Sequence, residues 1–218
     1  TTRSQHAYFA CELAETAEQI LANVKKKQRA VIRHALNEPL QYTLDTNPTD
    51  FYQTYSESVR NLGTPVFSKA FFRKISQVFP EHTEILTVRQ QQKAVSSVLS
   101  FYFKNEVLPY YGGGTFDAKS LKSNDYMYYQ LMCHARINKN CSSYDFGSSK
   151  LDSGAYHYKR HWGMTPVELP YQYHLVKADT LPDVSPNNPK YQLFIKLWQR
   201  LPLAASQWLG PKLSRYLG

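Results

Sequence analysis

Between residues 84 and 111 the hydrophobic pattern stops repeating every three to four residues. It becomes two nearly continuous runs, 84–89 and 93–103, rich in Ile, Val, Leu, Tyr and Phe, followed by a third at 106–111. Runs of this kind fill a pleated surface, so they predict a hairpin with residues 90–92 at its tip and then a further strand. On both sides the period is helical. Phe51, Tyr55, Val59 and Leu62 form one stripe and Phe71, Phe72, Ile75 and Phe79 another, separated by Gly63-Thr64-Pro65. Further on, Tyr128, Leu131, Met132 and Ala135 sit at i, i+3, i+4 and i+7 and predict a helix over residues 124–138 with Ser123 as its N-cap. Strands enclosed by helical segments imply a mixed α+β domain with a central sheet.

The remaining segments extend this order. Residues 142–146 read as a short strand ending at Gly147, and 155–162 as an aromatic, basic helix closed by Gly163. Residues 167–177 read as a last strand with Leu169, Tyr171, Tyr173 and Leu175 on one face. Ahead of them all, Leu21, Val24, Val31 and Leu36 share a helical stripe that Pro39 ends at Glu38. The organisation expected is a basic helical lead-in over 1–38, a main domain over 39–178, and a tail over 179–218. The tail opens with a linker containing Pro182, Pro186 and Pro189. It continues as amphipathic helices with Tyr191, Phe194, Ile195, Trp198 and Leu201 on the apolar face, divided at Pro202 and at Gly210-Pro211.

The 218 residues suit one large domain, and 42% hydrophobic content excludes wholesale disorder. No apolar run approaches the roughly 18–20 residues of a membrane-spanning helix. Cys11, Cys133 and Cys141 match neither a zinc site nor a disulfide framework, so a reducing compartment is expected. No leader-like segment opens the sequence, and Thr1 is read as a cut or processed boundary. The net charge of +9 is uneven: residues 25–34 and 188–218 each hold five Lys or Arg and no acid. Such stretches are either solvated helix faces or sites for phosphates, nucleic acid or anionic lipid. For the tail, the two readings are a brace packed on the domain and a basic amphipathic helix at a membrane surface or partner.

Several chemistries are excluded by their missing motifs. Gly112-Gly113-Gly114 lacks the Lys-Ser/Thr ending of a phosphate loop, and there is no Gly-x-Ser-x-Gly, His-Glu-x-x-His or paired cysteine. His157 and His161 are four residues apart without a third ligand, so no metal site is expected. The densest cluster of unusual residues is YDFGSSKLDSGAYHYKRHWG, residues 144–163. It sets Asp145 at a strand end, then small residues that permit close backbone approach, then Lys150, Tyr156, Tyr158, Lys159 and Arg160. Its bland alternative is a structural turn with a basic rim.

That cluster, with PYYGGG (109–114) and LKSNDYMYYQLM (121–132), resembles the C-terminal half of FemAB-related proteins. The branch it is most similar to is the one associated with PEP-CTERM/exosortase and exopolysaccharide loci. QRAVIRHAL (28–36) and NPKYQLFIKLWQRLP (188–202) are similar to further segments of the same group. The resemblance implies a GNAT-like fold with two lobes per chain, of which this would be mainly the second, the lead-in joining it to the first. It implies transfer of an acyl or aminoacyl group to an amine in bacterial envelope or exopolysaccharide metabolism. Lys159 falls on the lysine of the family's Phe-Lys-x-x-Phe-Gly-like string and is expected at the reaction centre, with Asp145 orienting it or relaying a proton and Tyr156 assisting. Tyr110, Tyr111, Gly113, Asn124, Ser148, Lys150 and Tyr158 are expected to contact substrate, and Lys27, Arg29 and Arg33 to bind phosphates. No tightly bound cofactor is expected; the donor is a co-substrate, aminoacyl-tRNA or acyl-CoA. The glycine run is not followed by the Gln/Arg-x-x-Gly-x-Gly/Ala loop with which ordinary GNAT enzymes grip CoA, which departs from an acyl-CoA donor. Expected partners are an amine-bearing envelope precursor, tRNA, and the inner face of the cytoplasmic membrane through the tail, the protein being cytoplasmic. The rivals are a non-catalytic polyanion-binding module for RNA or anionic glycan on the same fold, and a membrane-surface scaffold.

Overall fold

A computed structural model describes residues 2–176 and 189–215. The strands are β1 (Thr2–Glu12), β2 (Leu40–Asp45), β3 (Thr83–Gln90), β4 (Lys93–Phe103), β5 (Glu106–Gly114), β6 (Ser143–Lys150) and β7 (Val167–Gln172). The helices are α1 (Ala17–Asn23), α2 (Lys26–Leu36), α3 (Thr49–Leu62), α4 (Lys69–Val78), α5 (Ala118–Leu121), α6 (Ser123–Ile137), α7 (Gly154–His161), α8 (Pro189–Gln199) and α9 (Leu203–Ser214).

The expected hairpin forms between β3 and β4, which pair from Thr83 opposite Phe101 to Gln90 opposite Lys93. Its two tip residues, Gln91 and Gln92, both have positive φ, the backbone shape of a two-residue turn that matches strand twist. All seven strands make one sheet in the order β2-β3-β4-β5-β6-β1-β7. Every neighbouring pair is antiparallel except β5 and β6, which run parallel and pair only at Glu106 opposite Ser143 and Val107 opposite Tyr144. Beyond those two pairs β5 stays with β4 and β6 stays with β1, so the middle of the sheet parts. The fold is therefore the α+β mixed sheet flanked by helices that the sequence implies.

Helices cover both faces. On one, Phe9, Val88, Val98, Val107 and Tyr144 pack under Ile20, Ile32, Met127 and Leu131 of α1, α2 and α6. On the other, Ile85 and Leu99 pack under Phe51, Val59 and Phe72 of α3 and α4. Successive residues such as Ile85 and Leu86 enter opposite cores, as strand alternation requires.

Several expectations are corrected. Residues 1–38 are not a helical lead-in, because β1 lies inside the sheet between β6 and β7 and buries Ala7 and Phe9 completely. Its apolar positions are spaced by Ser, Gln, His and small residues, which conceals the alternation. Edge strand β2 buries only Leu40 among its six residues, too little for a visible pattern. Ser123 is the first residue of α6 rather than its cap; Lys122 takes the cap position with φ 53°. Finally, α9 continues through Gly210-Pro211, and Gly210 fits there because an added Cβ would lie 2.8 Å from the Val66 carbonyl oxygen. The expected linker from 179 to 189 lies outside the described residues except for Pro189, which opens α8. Helices α8 and α9 brace α3: Arg60 Nη1 donates to the Leu201 carbonyl at 3.2 Å, Gln199 Nε2 to the Asn61 carbonyl at 3.0 Å and Gln207 Nε2 to Ser56 Oγ at 2.8 Å. Strand β7 stops at Gln172, five residues earlier than expected, and is an edge strand carrying Pro170, which needs no ladder partner.

One ionic cluster ties α6 to β3. Glu84 meets His134 Nε2 at 2.9 Å and also the Lys139 ammonium. Burial by itself would raise the Glu84 carboxyl, but hydrogen bonds from His134 and Lys139 outweigh it and hold the group at about 2. A carboxyl depressed on folding stabilises the protein above its ordinary value of 4.5, and that contribution is lost as pH falls through about 2. Glu84→Gln is expected to lower the urea midpoint at neutral pH and to flatten its decline across that acid window, which a series of unfolding curves against pH will show.

Candidate active site

The parted strands open a cleft of about 680 Å³ at the carboxyl ends of β5 and β6, the position where open sheets with parallel strands bind ligands. Its wall on the β5 side is Gly112-Gly113-Gly114, with Tyr128 and Asn124 from α6, Gln28 from α2 and Ser58 from α3 around it. Side chains have no room along this wall. A Cβ on Gly113 would lie 2.4 Å from Ser58 Cβ, and one on Gly114 2.4 Å from Ala118 Cβ and 2.7 Å from Asn124 Oδ1. The glycines thus let helices close on both faces of β5 while leaving its backbone as the cleft wall.

Helix α7 forms the other wall. Ser153 caps it by accepting from the Tyr156 N–H at 3.2 Å, and Gly163 follows it with φ +90°. Gly154, Ala155 and Tyr158 line the cleft; Lys159 lies on the same helix one turn beyond Ala155 and is not itself a lining residue. Lys159 Nζ donates to the carbonyls of Ser148 at 3.0 Å and Gly147 at 3.2 Å. Both belong to the stretch of β6 that β5 no longer covers. The ammonium also lies 5.4 Å from the Phe146 ring centre and 5.7 Å from that of Phe9. Burial lowers its pKa to about 8, with the Asp145 charge acting in the opposite direction. The result is a cation that gives up its proton just above neutrality.

Across the cleft is a carboxylate that sequence reasoning passed over. Asp125 receives Gln28 Nε2 at 2.5 Å and the Tyr158 hydroxyl at 2.9 Å, both on Oδ1. Burial raises its pKa in spite of these bonds and of the nearby Lys122 charge. In the sequence Asp125 looks like an ordinary acid in a helix first turn. Its partners are 97 and 33 residues away in the chain, so no local signal marks it.

The structure gathers some of the predicted residues and disperses others. Gly113, Asn124 and Tyr158 line the cleft, and Asn124 Oδ1 is buried there without a hydrogen-bond partner. Ser148 contributes its carbonyl to Lys159. Asp145 accepts the Gly147 N–H at 2.7 Å and acts on Lys159 by charge; the hydrogen bonds that orient Lys159 come from main-chain carbonyls. Tyr156 stands edge-on to Phe9 with ring centres 5.3 Å apart, beneath the Arg160 guanidinium. Tyr111 points to the other face of the sheet, into a ring cluster with Tyr55, Phe67 and Phe72. Tyr110 occupies the β5 bulge beside Phe101, 59% exposed. Lys150 ends β6 on the surface. Lys27, Arg29 and Arg33 lie on α2, whose cleft-lining residues are Gln28 and Val31. Among the described residues no group of His, Cys, Asp and Glu could hold a metal ion, and the three cysteines are free.

Against known proteins, the family profile described as acetyltransferase (GNAT) domain matches residues 21–160. The chain belongs to the GNAT acetyltransferase family. Among solved structures this GNAT chain is similar to FemX, with 14% identity and TM-score 0.68 over 74% of this chain and 59% of that one. It is also similar to the C-terminal domain (DUF2156) of a protein provisionally described as a lysylphosphatidylglycerol synthetase from Agrobacterium fabrum: 12% identity, TM-score 0.59, 77% of this chain and 59% of that. L-PGS from Bacillus licheniformis gives 12% identity and TM-score 0.59 over 92% of this chain and 67% of that. These likenesses are of fold, and this GNAT chain spans 59% of the length of the first two. No curated protein matches the sequence.

Gly113→Ala is expected to destabilise the GNAT domain by about 1–3 kcal/mol, the usual consequence of an overpacked contact, because Ser58 and α3 must withdraw. Chemical denaturation of the variant measures this, and unchanged stability would show that the contact is slack.

Proposed function

We propose that this GNAT domain transfers an acyl or aminoacyl group from an ester or thioester donor to an amine acceptor carried by an envelope or exopolysaccharide precursor. The observation that carries the reading is Lys159, a half-buried ammonium on the helix that lines the cleft, held by two main-chain carbonyls of β6 beyond the point where β5 parts from it. The acceptor enters as an ammonium ion, and Asp125 takes one of its protons. The freed nitrogen attacks the donor carbonyl carbon, and the carbonyl π pair moves onto oxygen, where the fixed positive charge of Lys159 stabilises it. When the tetrahedral intermediate collapses, the C–O or C–S bond to the donor breaks. The leaving oxygen or sulfur takes the second nitrogen proton, and an amide remains.

The other residues take supporting roles. Asp145 favours the charged form of Lys159, and Tyr156 holds Phe9 in place beneath that ammonium. Asn124, Gly113 and Tyr158 contact the bound acyl group, with the unpartnered Asn124 Oδ1 available to an N–H of the acceptor or of an aminoacyl donor. Lys27, Arg29 and Arg33 bind phosphates at the α2 side. GNAT domains use acyl-CoA as a co-substrate, and aminoacyl-tRNA is the alternative donor for this chain. The resemblance to the exopolysaccharide-associated FemAB branch supports an envelope acceptor, and so does the tail. Helices α8 and α9 expose Leu193, Leu197 and Trp208 beside Lys196, Arg200 and Lys212, with no acid from 189 to 215. Such a face suits an anionic bilayer surface where lipid-linked precursors are held. No helix among the described residues is long and apolar enough to cross a membrane.

Transfer from a panel of acyl-CoAs and aminoacyl-tRNAs to amine-bearing envelope precursors, read by mass spectrometry, tests the reading. Lys159→Ala is expected to lower kcat by about 10²–10³-fold with donor binding unchanged; an unchanged rate would leave a polyanion-binding module instead. Because the charged form of Lys159 is the active one, the wild-type rate should fall as pH rises through about 8. Lys159→Arg should lack that alkaline limb even where its rate is lower. For the tail, sedimentation with phosphatidylglycerol-containing vesicles should be lost in the Leu197→Ser, Trp208→Ser double variant and in high salt. Equal binding by the variant would remove the membrane-surface role.

A further inference from the structure

Helix α2 turns one face to the core, and the buried positions on that face are Gln28, Ile32 and Ala35. Two of them are apolar, as an amphipathic helix requires. The first is an amide only 6% exposed, where packing alone would call for an apolar side chain. A polar group removed from water is costly unless it is hydrogen-bonded. Gln28 spends its bond on the carboxylate of the cleft, Nε2 donating to Asp125 Oδ1 at 2.5 Å. The orientation of the amide follows from chemistry, because a carboxylate only accepts and the nitrogen is the one donor of a Gln side chain. From the opposite wall the Tyr158 hydroxyl donates to the same oxygen at 2.9 Å. Helices α2, α6 and α7 thus meet at one atom. No other side chain among the described residues donates to this carboxylate; Lys122 acts on it by charge, and the Tyr128 phenol stands one turn along α6.

Two side-chain donors on Oδ1 and none on Oδ2 divide the carboxylate into an anchored oxygen and a reactive one. We propose that Gln28 is a positioning residue for proton transfer: it holds Asp125 Oδ1, so that Oδ2 is the atom that takes a proton from the acceptor ammonium. In that step an N–H bond of the ammonium breaks, its electron pair stays on nitrogen, and an O–H bond forms at Oδ2. Gln28 gains and loses no proton. Burial disfavours the charged carboxylate, and the hydrogen bond from Gln28 opposes that effect, so the anchor also keeps Asp125 able to accept. This rests on the acyl-transfer reading above, in which Asp125 is the base. A Gln28 that merely tied α2 to α6 would leave the titration of Asp125 unmoved, and the experiment reads that difference.

Gln28→Met keeps the length and bulk of the side chain and removes the donor. In the full chain, the Asp125 carboxyl is followed against pH by infrared difference spectroscopy, its band being identified by its loss in Asp125→Asn. The protonated band should persist to higher pH in Gln28→Met than in wild type, since a donor to the charged form has gone. In the transfer assay the acid limb of kcat/KM should move the same way. Below its inflection Gln28→Met should be about tenfold slower, the usual effect of one hydrogen bond to a charged group, and at higher pH the two rates should converge. Gln28→Glu, which keeps the shape and sets a second carboxyl against the first, should move both readings further in the same direction, so the test does not depend on the folding of one variant. Equal carboxyl titration in wild type and in either folded variant overturns the proposal. A shifted carboxyl titration that the transfer rate does not follow would refute the reading of Asp125 as the base, and the positioning role with it. Transfer that depends on Asp125 but is indifferent to Gln28 would refute the positioning role alone.

Discussion

Two residue pairs, Glu106 with Ser143 and Val107 with Tyr144, are all that joins the parallel strands at the centre of the sheet. Had the pairing continued, β5 and β6 would have satisfied each other's main-chain groups and left no cleft. Because it stops, β6 has main-chain oxygens free to accept from Lys159, and β5 presents a glycine backbone to the opening. A backbone donor or acceptor removed from water must find a partner, so the interrupted ladder itself creates the place for a cation. The helices on either face then have only to approach it closely, which the side-chain-free stretch of β5 permits.

The electrostatics of the cleft arise from the same geometry. A lysine half out of water loses part of its hydration, which accounts for the direction of its shift, and the carbonyls and the rings of Phe9 and Phe146 replace that hydration only in part. Asp125 meets the complementary problem, a carboxylate in a buried setting held by an amide and a phenol rather than by a cation. Burial thus pushes each of these two groups of opposite charge toward its neutral form.

The fold was legible wherever period and composition agreed. The β3–β4 hairpin, the stripes of α3 and α4, the length of α6 and the Gly163 stop after α7 all come from local patterns. Strand β1 escaped because its buried positions include Ala7, a residue with little hydrophobic signal, and because its partners are at the far end of the chain. The candidate site divided along the same line. Lys159, Tyr158, Asn124 and Gly113 were visible as unusual residues in a compact stretch or beside a glycine run. Asp125 and Gln28 were not, since a hydrogen bond between helices distant in sequence leaves no trace in either segment. Tyr110 and Tyr111 do not line the cleft: Tyr110 sits at the β5 bulge, and Tyr111 fills the ring cluster with Tyr55, Phe67 and Phe72.

The place of β1 has a consequence for how the molecule comes into being. It is the first strand of the sequence, yet it lies between β6 and β7, with His6 opposite both Lys150 and Leu169. While β3, β4 and β5 can form as a local meander, the half of the sheet that carries Gly147, Ser148 and the floor beneath Lys159 must wait until the chain has returned to its own beginning. Non-local pairing of this kind is slow, and until it is complete the outer edge of β6 remains open. The surroundings of Lys159 therefore belong to the part of the protein assembled last, so any event that delays the return of β6 and β7 would leave a well-formed meander with no completed cleft.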